Sequence, residues 1–151
     1  MWWINSLDVS QVNELESFRL NLFDDKNKSK LKELDFSKNK KLRDIVIGQT
    51  KALKNIKFNN KCEYIYLKGT SIKSVNLKNL KELESFIYRD GPLEELDTSN
   101  NPNLESIKIA DTNIKRLDVT KNPKLKYIIV DEGTQIIGPT NAQIEYNKKT
   151  E

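Results

Sequence analysis

Carboxylates are the residues in this sequence best placed to do chemistry. Asp8, Asp35, Asp97 and Asp118 each follow a leucine and stand two positions before a Ser or Thr. On neighbouring strands, Asp97 and Asp118 would lie about 5 Å apart. Like charges that close raise one pKa, and the separation matches the carboxylate pair of a retaining glycosidase. The same residues have a plainer use. An Asp followed by Ser or Thr accepts hydrogen bonds from the N–H groups of the turn that comes next. A catalytic pair belongs in one cleft, whereas this Asp returns in four places, so the turn-forming role is expected. Calcium is not expected either, because each site gathers too few oxygen ligands.

The remaining inventory narrows the chemistry further. There is no histidine, and Cys62 is the one cysteine. Without histidine the commonest general base, the usual metal ligand and every Ser-His or Cys-His nucleophile are missing. A lone cysteine forms neither an intrachain disulfide nor a thiolate metal cluster. It stands where leucine recurs elsewhere, so a buried structural thiol is expected. No cofactor, no metal and no enzymatic activity are anticipated.

With 151 residues the chain suits one domain. Its 26 basic and 22 acidic residues leave a net charge of +4, and 32% of all residues are charged. Such polarity fits an elongated object whose narrow apolar ribbon lies between polar faces. Arginine occurs only at Arg19, Arg43, Arg89 and Arg116. Nucleic-acid binders more often concentrate Arg and aromatics in one patch, so nucleic acid is not an expected partner. Lys38, Lys40, Lys41, Lys51, Lys54 and Lys57 fall on turns and on both faces, which favours a solvated rim over a phosphate or membrane site. No apolar run reaches the roughly 20 residues that span a bilayer. Residues 1–10 also lack the basic start and apolar stretch of a secretory signal. A cytoplasmic location is expected if Met1 is the native start, and a cell-surface or secreted one if the sequence is part of a longer protein.

The elements that must position these residues are repeats. Leu96-Asp97-Thr98-Ser99 returns as Leu117-Asp118-Val119-Thr120, 21 residues on. Earlier matches begin at Val75, Ile56, Leu34 and Leu7, at intervals of 21, 19, 22 and 27. The longest interval places extra residues near Phe23–Ser29, read as an exposed loop. A second anchor of the form apolar-x-x-apolar-x-apolar begins at Leu15, Leu42, Cys62, Leu83, Leu104 and Leu125. Its last two apolar positions are one residue apart, the period of a strand with one buried face. So short a strand cannot stand alone, but copies one turn apart stack in parallel and bury a continuous apolar column.

Leu104-x-x-Ile107-x-Ile109-x-x-Thr112-Asn113-Ile114 resembles the leucine-rich-repeat consensus L-x-x-L-x-L-x-x-N-x-L. The full unit, in which this segment alternates with L-x-x-L-D-x-S-x-N-x-x-L, resembles the short bacterial repeats of internalins and of Bacteroidetes and Fusobacteria surface proteins. The resemblance runs from about Ile4 to Ile137 and implies a leucine-rich-repeat solenoid, α/β by family but mostly β here, with about six stacked turns and a parallel β-sheet. It selects no partner. The family's ladder asparagine is replaced by Thr70, Gly91 and Thr112, while Asn39, Asn101 and Asn122 form a column after the Leu-Asp-x-Ser segments. The hydrogen bonds that seal the edge are therefore either weaker here or moved to the opposite corner. Pro102 and Pro123 fix the turn beside that column. The third turn looks compressed at Asn59–Cys62.

One domain, 1–151, is expected. Residues 1–6 form an N-terminal cap or truncated edge, with Trp2 and Trp3 covering the first repeat. Repeats occupy 7–134. A C-terminal cap fills 135–151, where Ile136, Ile137, Ile144 and Tyr146 add a last strand and a closing hairpin around Gly138-Pro139, with Lys148–Glu151 frayed. Alternation then fixes which residues of the second strand set face outward. The central column is Arg19, Val46, Tyr66, Ile87, Lys108 and Ile129, flanked by Ser17, Asp44, Tyr64, Ser85, Ser106 and Tyr127, and by Asn21, Gly48, Lys68, Arg89, Ala110 and Asp131.

Tyr64, Tyr66, Ile87, Tyr127 and Ile129, edged by Lys68, Arg89 and Lys108, form the candidate partner-binding surface. Tyr and Arg are enriched in binding hot spots, and exposed apolar clusters usually have a partner. The same residues also serve as favourable cross-strand neighbours. The favoured function is a monomeric, non-catalytic module that binds a protein partner through its strand face. An alternative is a repeat segment of a bacterial cell-surface adhesin or virulence-type protein, and a remote one is a carboxylate-dependent glycosidase.

Overall fold

The computed structural model describes residues 5–22 and 29–149. The expectations for Trp2 and Trp3, and for most of the 23–29 loop, fall outside these residues. Each turn lays down one five-residue strand: β1 (Ser17–Asn21), β3 (Asp44–Gly48), β5 (Tyr64–Lys68), β6 (Ser85–Arg89), β7 (Ser106–Ala110), β9 (Tyr127–Asp131) and β11 (Gln143–Asn147). They form one parallel sheet in the order β1-β3-β5-β6-β7-β9-β11. No helix occurs among the described residues, so none is long and apolar enough to cross a membrane.

The inward pairs are β-branched, leucine or aromatic: Ile45 and Ile47, Ile65 and Leu67, Phe86 and Tyr88, Ile107 and Ile109, Ile128 and Val130, all essentially buried. These residue types suit a pleated, half-buried surface. Burying each contributes roughly 1.5–3 kcal/mol, which no isolated five-residue strand could gain. Cys62 fills its leucine position with no exposure, and burial pushes its thiol up to about 12.

Turn chemistry holds the rungs together. Three residues before each second anchor, a column of side chains points inward: Asn39, Asn59, Asn101 and Asn122 are buried there. Asn101 Nδ2 donates to the Leu77 and Leu80 carbonyls of the preceding turn at 2.9 and 2.8 Å. Asn122 does the same to Thr98 and Asn101, and Asn39 to Val9 and Val12. The ladder is thus moved to the opposite corner. Asn59 joins this column despite the compression that the sequence shows at Asn59–Cys62. Six residues separate Ile56 from Cys62 where eight separate Leu34 from Leu42, so Asn59 serves as the ladder residue and donates to the Leu42 carbonyl at 2.8 Å.

At the corner where the family keeps its asparagine, Tyr88 reaches across the core instead. Its hydroxyl donates to the Ile72 carbonyl at 2.7 Å and accepts from Thr70 Oγ1 at 3.2 Å. Gly91 follows from that reach: a Cβ there would stand 2.3 Å from Tyr88 Oη and 2.8 Å from the Thr70 carbonyl.

The other side of the coil is less regular. Of the strands expected there, β2 (Glu33–Asp35) pairs with β4 (Asn55–Lys57), and β8 (Arg116–Asp118) pairs with β10 (Gln135–Ile137). Segments 7–9, 75–77 and 96–98 form none. An opening of about 550 Å³ lies between Val75, Leu96 and Asp118.

The C-terminal segment differs from the expected closing hairpin. β10 and β11 do not pair with each other; each extends a separate parallel ladder, β11 against β9. Asp131 ends the series at the sheet corner. In inner turns Asp90 N–H donates to the Ala110 carbonyl and Gly91 N–H to the Asp111 carbonyl, each at 3.2 Å. One rung later the Asp131 carbonyl is occupied by Thr134 N–H. Its carboxylate substitutes, accepting from Asp111 N–H at 2.8 Å, Thr112 N–H at 2.9 Å and Asn147 Nδ2 at 3.0 Å. Burial pushes this carboxyl up, but the bonds from Asn147, Thr112 and Asp111 outweigh it and hold it below the usual value.

Gly91→Ala is expected to lower the unfolding free energy by about 1–3 kcal/mol in urea. Combining it with Tyr88→Leu should cost less than the two changes summed. The depressed Asp131 carboxyl stabilises the fold above its unfolded value, and that contribution is lost as pH falls through the folded value. Asp131→Asn should therefore be less stable than the native chain at pH 7, with the gap narrowing towards pH 3 in parallel melts.

Candidate partner-binding face

The sheet registers place the outward residues as alternation requires. Arg19, Val46, Tyr66, Ile87, Lys108 and Ile129 lie side by side on successive strands, and Glu145 adds a seventh member. Ser17, Asp44, Tyr64, Ser85, Ser106, Tyr127 and Gln143 form the flanking column.

The third column departs from expectation, because Gly48, Ala110 and Asp131 are buried. This column sits where the chain leaves the sheet through a left-handed residue: Gln49, Gly69, Asp90 and Asp111 have φ between 53° and 62°. Small residues at the bend are covered by neighbouring turns, and Asp131 is drawn in by the N–H groups it caps. Lys68 and Arg89 remain accessible there.

A depression of about 290 Å³ opens on this face, lined by Tyr66, Ile87, Arg89, Lys108, Ala110, Ile129, Glu145 and Asn147. Five of the eight residues singled out from the sequence therefore meet in one place. Tyr64, Lys68 and Tyr127 lie outside it. Tyr127 is 54% exposed, an aromatic handle on the margin. Tyr64 is half-buried beside Tyr66; burial and that neighbour raise its phenol against the opposing pull of Arg19. Ala110, Glu145 and Asn147 were missed: Ala110 as too small to signal, the other two because 135–151 was read as a cap. The Ile144-x-Tyr146 alternation was the available signal.

The charges on this face are unevenly matched. Lys68 pairs with Asp90 at 3.4 Å. Arg89 and Lys108 have no carboxylate within 4.0 Å among the described residues. One margin of the sheet, by contrast, carries cross-rung pairs: Glu14 with Lys41, Arg43 with Glu63, Lys61 with Glu82, and Glu105 with Lys126.

The carboxylate column on the opposite side behaves as a set of turn caps. Asp8, Asp35 and Asp97 accept from the N–H groups of Ser10, Ser37 and Ser99 at 2.8–2.9 Å, and Asp118 accepts from Thr120 N–H at 2.9 Å. Ser99 lowers the Asp97 carboxyl and Thr120 the Asp118 carboxyl; the repulsion that Asp118 exerts on Asp97 is outweighed. The raised pKa expected of a close carboxylate pair is therefore corrected to a lowered one. A larger cleft, about 550 Å³, lies near Leu7, Asp8, Leu34 and Asp35. Its turn carboxylates are engaged in the same way, and Lys57 pairs with Asp35 at 3.2 Å. No group of three or more His, Cys, Asp or Glu among the described residues could hold a metal ion.

No protein-family model matches the sequence, and no curated protein matches it. Among solved structures, the functional domain of InlJ from Listeria monocytogenes, an internalin described as including a cysteine ladder, superposes with a TM-score of 0.60 at 21% identity. The match covers 82% of this chain and 27% of that one, so this chain spans about a quarter of InlJ's length. Here one cysteine stands alone and stacked asparagines join the turns. The architecture is that of a leucine-rich-repeat solenoid with a parallel β-sheet, of the kind internalins carry.

Proposed function

We propose that this chain is a non-catalytic protein-interaction module that receives an acidic, apolar-bearing segment of a protein partner on its sheet face. The observation that carries this reading is the depression in which Arg89 and Lys108, unmatched by carboxylates, stand beside Tyr66, Ile87 and Ile129. Apolar contact with the tyrosine and isoleucines supplies affinity; the two cations select and steer a negatively charged partner. Tyr64, Lys68 and Tyr127 extend the contact at its margin. The turn-capping carboxylates, held ionised, lack the raised pKa that a glycosidase's general acid requires.

A second reading has support of its own. The likeness of fold to InlJ's domain supports a repeat segment of a bacterial cell-surface adhesin or virulence-type protein. The period of 21 residues supports a likeness to the short repeats of internalins. Both readings use the same face.

The test is affinity capture from lysate and culture medium of the source organism, followed by titration of the captured protein. The triple variant Tyr66→Ala, Ile87→Ser, Arg89→Ala should bind at least about a hundredfold more weakly while still folded. Asp97→Asn with Asp118→Asn should bind as the native chain does, and raising salt should slow association. Loss of binding in the aspartate variant alone would sink this assignment.

A further inference from the structure

β7 and β9 pair over three positions, Ser106–Lys108 with Tyr127–Ile129, whereas every other neighbouring pair of the seven-stranded sheet matches all five. The depression on the sheet face opens where that match stops: Lys108 and Ile129 are its last paired residues, and buried Ala110 lies beyond them. The polar groups around it fall into two sets. Exposed Arg89 on β6 and half-buried Lys108 on β7 offer only donors. Exposed Glu145 and half-buried Asn147, both on β11, offer acceptors. Asn147 commits its amide nitrogen to Asp131 and Asp111, at 3.0 and 3.4 Å, so Oδ1 is the atom left to accept. No Lys or Arg stands within 4.0 Å of the Glu145 carboxylate among the described residues. Ile129 separates the two sets, since Lys108, Ile129 and Glu145 stand directly opposite one another on β7, β9 and β11.

We propose that this depression reads a partner segment of mixed charge, extended across the strands: an acidic residue, an apolar residue two positions away and a basic residue two further. This rests on the sheet face being the docking surface proposed above, and adds to it the basic residue and the spacing. Neighbouring strands stand about 4.8 Å apart. Measured across the sheet from midway between β6 and β7, Ile129 is therefore about 7 Å away and Glu145 about 12 Å. In an extended chain the side chains on one side recur about every 7 Å, so the first, third and fifth residues match those stations. The planar fork of Arg89 takes the partner's carboxylate, with Lys108 beside it. Ile129 packs against the apolar side chain, and Glu145 with Asn147 Oδ1 accepts from the ammonium or guanidinium. Either chain direction satisfies the spacing, and the second and fourth residues face away. An acidic residue at the last station would meet Glu145, and like charges brought together suppress wrong partners.

The test is a titration of the isotope-labelled full chain with three pentapeptides, read from the amide resonances of Ile87, Lys108 and Ile129 over about 0.1–10 mM. The probes are acetyl-Asp-Ser-Leu-Ser-Lys-amide, acetyl-Asp-Ser-Leu-Lys-Ser-amide, whose base faces away, and acetyl-Asp-Ser-Leu-Ser-Glu-amide. The first should bind about tenfold more tightly than the last, although the protein's net charge of +4 favours the more acidic peptide. It should also bind more tightly than the second, which has the same composition. Glu145→Lys should reverse the preference between the Lys-ended and Glu-ended peptides. Equal or tighter binding of the Glu-ended peptide by the native chain would overturn this inference and leave the acidic-partner reading standing. Equal binding of the two Lys peptides, or an unchanged preference in Glu145→Lys, would do the same. No shift with any of the three would overturn both readings of the depression.

Discussion

A chain that reverses direction about every ten residues must carry its corners against a packed interior, where each backbone carbonyl and N–H needs a partner. The sheet satisfies the straight stretches, since every five-residue strand is bonded on both sides except at the ends. At the corners only some backbone groups meet the next turn in register, as Asp90 N–H meets the Ala110 carbonyl. The structure meets this constraint with side chains: Asn39, Asn59, Asn101 and Asn122 donate to carbonyls of the turn before, and Asp131 accepts from the N–H groups of the last corner. The solution is incomplete. Asn39 Oδ1 and Asn101 Oδ1 are buried without a hydrogen-bond partner. Two donated bonds per asparagine outweigh that one unpaired oxygen, because the carbonyls they reach would otherwise lose a donor in a place water does not enter.

How much of this was legible in the sequence depends on how strongly each part was patterned. Apolar alternation fixed the inward and outward residues of β1 through β9, and with them the neighbourhood of Tyr66, Ile87, Lys108 and Ile129. The Asn column was legible for the same reason, as a residue type recurring at a constant offset from leucine. Asn59 does not show itself as a member of that column, because the third turn is two residues shorter and offset counting has no means of detecting which side of a deletion a residue joins. β11 was read as a cap because Ile144 follows Ile128 by only 16 residues, short of the period. Strand pairing depends on spacing in three dimensions, and a shorter connection reached the same edge. Burial of Gly48, Ala110 and Asp131 depends on the left-handed bend beside them, which leaves little mark in composition.

The two faces divide their charges by different rules. Along the margin, acid and base alternate from rung to rung and neutralise each other; exposed pairs of this kind contribute little to stability individually, but they leave no net field there. On the sheet face Arg89 and Lys108 are left unmatched while Tyr66, Ile87 and Ile129 keep apolar surface half open. The depression thus sets two cations and one carboxylate, Glu145, beside partly exposed apolar surface.

The carboxylate of Asp131 stands in for carbonyl oxygens that its own turn directs elsewhere. Upstream, the first N–H beyond a strand repeatedly reaches a carbonyl at the end of the next one: Gln49 to Lys68, Gly69 to Arg89 and Asp90 to Ala110. Length is consequently a free parameter of this architecture. Duplication or excision of a 21-residue unit among the inner turns shifts the terminal corner bodily while preserving its chemistry. A lineage can thus lengthen or shorten the sheet face by unequal recombination without altering the chemistry of this corner.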